Sequence, residues 1–253
     1  ESAEIWQKLG ILKERIYFLP KEDNWWGPAG QTGPCGPCTE MFYDIGKKKC
    51  GLDCKPGCGC GKYSEIWNDV FMEFNKTKEG KYLPLKQKNV DTGMGIERTI
   101  AVLHGFNNVF ETELFQPIIK EIKSLSSKTD EKALRIISDH IKAATFILSE
   151  DIEPSNVEQG YVLRRLIRRS VIYGKRLGIE DVFCHKISKI VIKIYRDAYP
   201  ELQKNQDFIL EQFIKEEEKF KETLERGSAE EISQLNKTGG QLTGDIAFNL
   251  YES

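Results

Sequence analysis

Residues 64–75 read SEIWNDVFMEFN, and their alternation decides how the first part of the chain folds. Ile66, Asn68, Val70, Met72 and Phe74 fall on one side of an extended strand, while Trp67, Asp69, Phe71, Glu73 and Asn75 fall on the other. Downstream, KTKEGK (76–81) marks a hairpin turn into YLPL. NVDTGMGIERTIAVLHG (89–105) then reads as a strand end, a double-glycine turn and a helix stopped by Gly105. Upstream, TEMFYDIG (39–46) and ERIYFLP (14–20) have strand-like composition. The segment is rich in Gly, Pro, Trp and Cys, so strands joined by loops are predicted over residues 1–105.

From residue 106 onward the period changes. EKALRIISDHIKAATFILSE (131–150) sets Leu134, Ile137, Ile141, Ala144 and Leu148 at helical intervals. DIEPSNVEQG (151–160) is punctuated as a loop, and GYVLRRLIRRSVIYGKRLG (160–178), KISKIVIKIYRDAY (186–199) and DFILEQFIKEEEKFKETLERG (207–227) read as further helices. The expected fold class is α+β, with an antiparallel sheet and helices at 1–105 followed by an all-helical domain at 106–253. A chain of 253 residues buries enough surface for two such units.

Composition bounds the function. Charged residues make up 30% and hydrophobic ones 40%, the profile of a soluble globular protein rather than a disordered or membrane one. No apolar run is long enough to span a bilayer, so no membrane partner is expected. The first residues, ESAEIWQKLG, lack the sections of a secretory signal and look like a helix already under way, and FNLYES stops inside an amphipathic pattern. Both ends suggest a piece of a longer protein. The net charge of −2 says little as an average, but lysines and arginines concentrate in 161–176, whereas 211–225 alternates acidic and basic residues.

Six of the seven cysteines, Cys35, Cys38, Cys50, Cys54, Cys58 and Cys60, lie between residues 35 and 60. Without an export signal a reducing compartment is expected, where clustered thiols favour metal over disulfides. Cys50, Cys54, Cys58 and Cys60 are spaced C-x3-C-x3-C-x-C with intervening glycines, which suits a tetrahedral Zn²⁺. The alternative is a reduced, flexible loop. Four thiolates close the coordination shell, so a zinc ion here would be structural rather than catalytic. Cys35 and Cys38, in GPCGPC, read as part of a rigid loop, with a metal or redox role as the other option.

Three further features bear on chemistry. Asn68 stands on an otherwise apolar strand face, where an amide needs either an internal hydrogen bond or a small polar ligand. In VDTGMGIER (90–98), Asp91 suits a ligand ammonium group. Gly93 and Gly95 permit close backbone approach, and Arg98 in the first helical turn suits phosphate. In the helix from Gly160, Val162, Leu163, Leu166, Ile167 and Val171 occupy one half of the wheel. Arg164, Arg165, Arg168 and Arg169 occupy the other, and no carboxylate interrupts them. That face suits nucleic-acid phosphate as well as solvent, and Asn156 just before it can reach a base edge. His104, His140 and His185 form no catalytic or metal pattern and read as structural.

WWGPAGQTGPCGPCTEMFYD, EIWNDVFMEFN, VDTGMGIER and PSNVEQGYVLRRLIRR occur in the order seen in the alanyl-tRNA synthetases, and this resemblance covers essentially the whole chain. VDTGMGIER resembles motif 3 of the class II enzymes. The resemblance implies a class II antiparallel active-site sheet that joins alanine, ATP with Mg²⁺, and the acceptor stem of tRNA(Ala), in a cytoplasmic enzyme. It implies that Asp91 and Asn68, 23 residues apart, hold the substrate alanine, with Trp26 walling its pocket and Gly93 beneath it. Arg98 then takes the catalytic, ATP-phosphate role with Gly95 beside it. Asn156 would read the acceptor-stem wobble pair while Arg164, Arg165, Arg168 and Arg169 hold the stem's backbone.

The family's motifs 1 and 2 are not in this sequence, nor is its HxxxH editing signature, and LYES stands where the family has LYD. The chain alone is therefore expected to be inactive, and Glu252 is a candidate second reader of the wobble pair. Two other readings stand beside this one. The first is a non-catalytic tRNA-acceptor-binding or regulatory module, and the second a zinc-dependent nucleic-acid-binding module.

Overall fold

The computed structural model describes residues 1–237, with side chains described through residue 226; Glu252 lies outside the described residues. The chain divides into two compact units, one of residues 1–112 and a second that begins at Glu113.

The first unit is built on an antiparallel sheet of four strands in the order β1-β2-β3-β4. These are β1 (Trp25–Trp26), β2 (Gly33–Asp44), β3 (Tyr63–Lys76) and β4 (Tyr82–Met94). A helix α1 (Ser2–Lys8) precedes them and α2 (Ile96–Leu103) follows directly from β4, with Gly95 at its N-cap. The alternation read from 64–75 is the pleat of β3, and Val70 and Met72 on its apolar side are buried with Cys38. On the other side Trp6 Nε1 of α1 donates to Thr39 Oγ1 at 2.9 Å.

Three local expectations change. GPCGPC is not a loop but the start of β2. Its prolines are tolerated because β1 is only two residues long and because the β2–β3 register shifts between Cys35 and Cys38. At that shift a Cβ on Gly36 would lie 1.7 Å from the Phe71 carbonyl oxygen, so the backbones meet where only glycine fits. The stretch 14–20 holds no strand; a single 3₁₀ turn at Lys13–Arg15 begins an irregular segment. The glycine turn after Asp91 is also absent, because β4 runs on through Gly93 to Met94 and pairs there with Asn68 and Trp67 of β3.

The second unit is helical: α3 (Gln116–Leu125), α4 (Glu131–Ser149), α5 (Glu158–Arg176), α6 (Cys184–Tyr195), α7 (Pro200–Lys204) and α8 (Gln206–Lys237). The predicted stripe of α4, Leu134 through Leu148, is buried throughout, at about 1.5–3 kcal/mol for each large side chain. Asp130 caps α4 by accepting the backbone N–H of Lys132 and Ala133. On α5, Leu163, Ile167 and Val171 are buried as expected, but Val162 is exposed beside Tyr161. The buried carboxylate of Glu217 on α8 accepts the N–H of Phe183 at 3.1 Å and of Cys184 at 2.9 Å, satisfying the start of α6. No helix among the described residues is long and apolar enough to cross a membrane.

Candidate functional site

In the first unit the register gathers the predicted residues into adjacent rows. Glu40 on β2 lies opposite Asn68 on β3, which lies opposite Gly93 on β4. The next row is Cys38, Val70 and Asp91. Directly opposed residues share a face, so Glu40, Asn68, Gly93 and Asp91 all project from one side of the sheet. Asp91 is diagonal to Asn68, a separation of about 7 Å between such positions. Trp26 is not part of this grouping: it sits on β1, with β2 and β3 between it and Asp91.

The chemistry of the rows is uneven. Asn68 Nδ2 donates to Glu40 Oε1 at 3.1 Å, and the Cys38 thiol donates to the same oxygen at 3.1 Å. Asn68 Oδ1 is buried with no hydrogen-bond partner among the described residues. Beside it, the place a side chain would occupy at Gly93 is open space. Asp91 is exposed, and no described side chain pairs with it. Burial raises the Glu40 pKa, and burial together with the Glu40 carboxylate pushes the Cys38 thiol up to about 12, so the cysteine stays protonated as a donor. On the opposite face Asp69 accepts from Thr92 Oγ1 at 2.7 Å, and Trp67 Nε1 donates to that same hydroxyl.

Gly95 and Arg98 follow at the end of β4. The Gly95 N–H donates to Ile66 O at 3.0 Å, and a Cβ there would press on Arg98 Cδ at 3.3 Å. Arg98 donates to the Glu65 carbonyl at 3.0 Å and lies 3.6 Å from its carboxylate, with the side chain still 53% exposed. It is held near the helix start yet remains accessible to an anion.

The cysteine cluster occupies the connection from β2 to β3. The Sγ atoms of Cys50, Cys54, Cys58 and Cys60 all lie within 4.8 Å of one another, with Cys50 to Cys58 at 3.4 Å and Cys54 to Cys60 at 3.7 Å. Four sulfurs at about 2.3 Å from a tetrahedral zinc are about 3.8 Å apart, so the donor set fits that ion. Cys35 and Cys38 are buried in β2 and stand apart from it. Hydrogen bonds among the thiols, that with Cys58 foremost, push Cys50 up to about 12, whereas the Lys62 backbone draws Cys60 down to about 7. At the neck of the loop the buried Lys62 ammonium donates to Asp44 Oδ1 at 2.7 Å and to Lys47 O at 2.6 Å, holding the Asp44 carboxyl below its usual range.

In the second unit the arginine face of α5 divides. Glu216 of α8, with a side chain only 6% exposed, lies 2.6 Å from Arg168 Nε and 3.6 Å from Arg164 Nε. The carboxylate that the α5 sequence lacks thus comes from another helix. Arg165 and Arg169 remain exposed. Arg164 also donates through Nη1 to Asn156 Oδ1, so the exposed Asn156 amide is tied to the Glu216 pair. Gly160 lets the preceding loop fold back on α5, since a Cβ there would meet Ser155 Oγ at 2.2 Å. Sequence reasoning missed Glu40 and Glu216. The second was signalled by its place in the buried stripe of Ile209, Phe213 and Phe220.

The chain matches over residues 1–253 the family described as tRNA synthetases class II (A). It is 52% identical over 262 residues to the alanine–tRNA ligase of Borreliella burgdorferi and 48% identical over 265 residues to that of Treponema pallidum, each alignment covering all of this chain and 44% of the relative. The alanine–tRNA ligase of Dehalococcoides mccartyi is 43% identical over 263 residues, covering all of this chain and 30% of the relative. The chain therefore spans less than half the length of these relatives.

Proposed function

Because the chain belongs to the class II (A) tRNA synthetases, we propose that it forms the second half of the catalytic domain and the tRNA-recognition helices of an alanine–tRNA ligase. The observation that carries this reading is the cross-strand grouping of Asn68, Gly93 and Asp91. It offers a partnerless carbonyl oxygen, an open place and an unpaired carboxylate on one face of a sheet. Those groups suit the ammonium of a small amino acid. The open place at Gly93 lets a methyl side chain lie against the backbone.

In the first step the alanine carboxylate oxygen bonds to the α-phosphorus of ATP as the bond to the leaving pyrophosphate breaks. Arg98, steadied by Glu65 and close to Gly95, stabilises the negative charge that develops on phosphate. Bound Mg²⁺ would supply further neutralisation of the triphosphate. In the second step a hydroxyl of the tRNA's terminal ribose attacks the alanyl carbonyl and AMP departs. Fixing the ammonium at Asn68 and Asp91 aligns the carboxylate for attack, which is the positional part of the rate enhancement.

In the helical unit, Arg165 and Arg169 are free to contact acceptor-stem phosphates, and Asn156 presents its amide for base-edge reading. Arg164 and Arg168 serve this surface while sharing one carboxylate, that of Glu216. Zinc held by Cys50, Cys54, Cys58 and Cys60 is assigned a structural role, and the enzyme a cytoplasmic setting.

The test is alanine-dependent ATP–pyrophosphate exchange by the full-length protein that contains this chain. Asp91→Asn is expected to reduce kcat/KM for alanine by about a hundredfold or more, the scale of a lost charge-assisted contact. Exchange that is independent of alanine, or unaffected by Asp91→Asn, overturns the reading.

A further inference from the structure

The residue that gives the Asn68 amide its direction is Glu40. A carboxylate oxygen that already takes a hydrogen bond from the Cys38 thiol at 3.1 Å can only accept again from its other neighbour. The end of Asn68 that meets it at 3.1 Å must therefore be the NH₂ group. The carbonyl oxygen is then the end of the amide that β2 leaves unused, on a residue whose other cross-strand neighbour is Gly93. That oxygen is the buried acceptor without a partner. Were the amide reversed, it would present two N–H donors to the same place and repel a cation.

We propose that Glu40 is a positioning residue for ammonium recognition: it orients Asn68 so that Oδ1, together with the Asp91 carboxylate, accepts the α-ammonium of the substrate amino acid. The inference rests on the alanine-activating reading above. Glu40 itself touches no substrate. It acts through one hydrogen bond, across one strand pair, and it fixes an acceptor where an asparagine alone is ambiguous.

The experiment is a polarity swap in the full-length protein, with KM for alanine and KM for ATP measured separately by pyrophosphate exchange. Asn68→Asp sets a second carboxylate against Glu40, and the alanine KM is expected to rise about tenfold or more. Glu40→Gln removes the group that dictates the amide's direction, and the alanine KM is expected to rise about threefold or more. In the double variant the new glutamine donates its N–H to one oxygen of the new aspartate, and the other oxygen replaces the amide carbonyl. The alanine KM then returns to within about threefold of the unsubstituted protein, while the ATP KM holds within about twofold throughout.

A double variant no better than Asn68→Asp alone overturns the proposal, as does an ATP KM that rises in step with that for alanine. Where Asn68→Asp does not fold, Glu40→Gln decides, because an unchanged alanine KM in that variant sinks the idea. Failure of the underlying reading looks different: the unsubstituted protein shows no alanine-dependent exchange, and both proposals fall together.

Discussion

Replacing Glu216 by alanine tests whether the arginine face of α5 is held from within. Its carboxylate is almost wholly buried, with Arg168 Nε at 2.6 Å and Arg164 Nε at 3.6 Å. Arg168 also lies with its guanidinium 4.9 Å from the Phe220 ring. The two arginine side chains are 17% and 28% exposed, so neither escapes to water without giving up packing. Glu216→Ala leaves two like charges facing a cavity, and removing one member of such a buried network costs about 3–5 kcal/mol. For a chain of this size that corresponds to a fall in Tm of about 6–20 °C.

The attraction within the network and the cost of desolvating it nearly cancel, so removing all three charges together should be mild. Arg164→Met and Arg168→Met combined with Glu216→Leu should restore stability to within about 1 kcal/mol of the starting protein. The assay is thermal unfolding followed by circular dichroism at 222 nm, read at low and high salt. Burial predicts that salt changes the Glu216→Ala penalty little. A Tm loss below about 2 °C for Glu216→Ala refutes the argument, as does a triple variant less stable than the single one. The first result would mean that the carboxylate is solvated, the second that packing rather than charge governs the site.

Other expectations follow from the same structure. Metal analysis of protein purified without chelator should find about one zinc per chain, lost in Cys58→Ser and again in Cys54→Ser; a metal-free protein of unchanged stability counts against the site. Arg165→Ala and Arg169→Ala should each weaken tRNA binding and lower its salt dependence by about one counterion, measured as the slope of log K against log salt, whereas equal slopes would remove them from the phosphate surface. Glu217 faces the Cys184 thiol and lies near Lys221, and burial raises its pKa above the usual carboxylate value. The native state therefore holds that proton more tightly than the unfolded chain does. The group's contribution is fully present below the unfolded pKa and is lost as pH rises through the raised folded one. Glu217→Gln should flatten the loss of stability across that window in urea unfolding between about pH 4 and pH 8, and parallel profiles for the two proteins would contradict the assignment.

The strands and helices with strong periodicity were legible, because alternation in 64–75 and the 3.6-residue stripe of α4 each bury one face. GPCGPC was not legible as a strand. Glycine and proline ordinarily punctuate, and only a partner backbone that approaches Gly36 closely turns them into an irregular strand. Asn68 and Asp91 could be picked out as polar groups in suggestive places. Glu40 could not, because which residue of β2 faces Asn68 depends on the register, and the shift between Cys35 and Cys38 erases any simple count. The arginine face failed for a related reason: a helical wheel shows what one helix lacks, not what another helix brings to it. Glu216 sits more than forty residues from the arginines it joins.

Register also ties the cysteine cluster to the sheet face that carries Asn68. The segment from Ile45 to Lys62 connects β2 to β3, and the pairing of Asp44 with Tyr63 begins directly at its neck. A connection this long places little restraint on register by itself, because two-residue turns set register and long loops do not. The Lys62–Asp44 pair clamps the neck, and a metal on the four thiols would shorten the effective loop above it. From that neck, β2 and β3 run antiparallel to Glu40 and Asn68 with one further shift, between Met41 and Phe42. A slip of one residue there would part Asn68 from Glu40, whereas its pairing with Gly93 beside Asp91 belongs to the separate β3–β4 hairpin. A zinc on these thiols would thus steady the Glu40–Asn68 alignment that the proposed ammonium recognition uses. Loss of the metal should therefore raise the alanine KM more than the ATP KM, because Arg98 lies beyond the end of β4 and is anchored to Glu65 in its own right. Equal loss of both would show the loop acting on the fold as a whole instead of on this register.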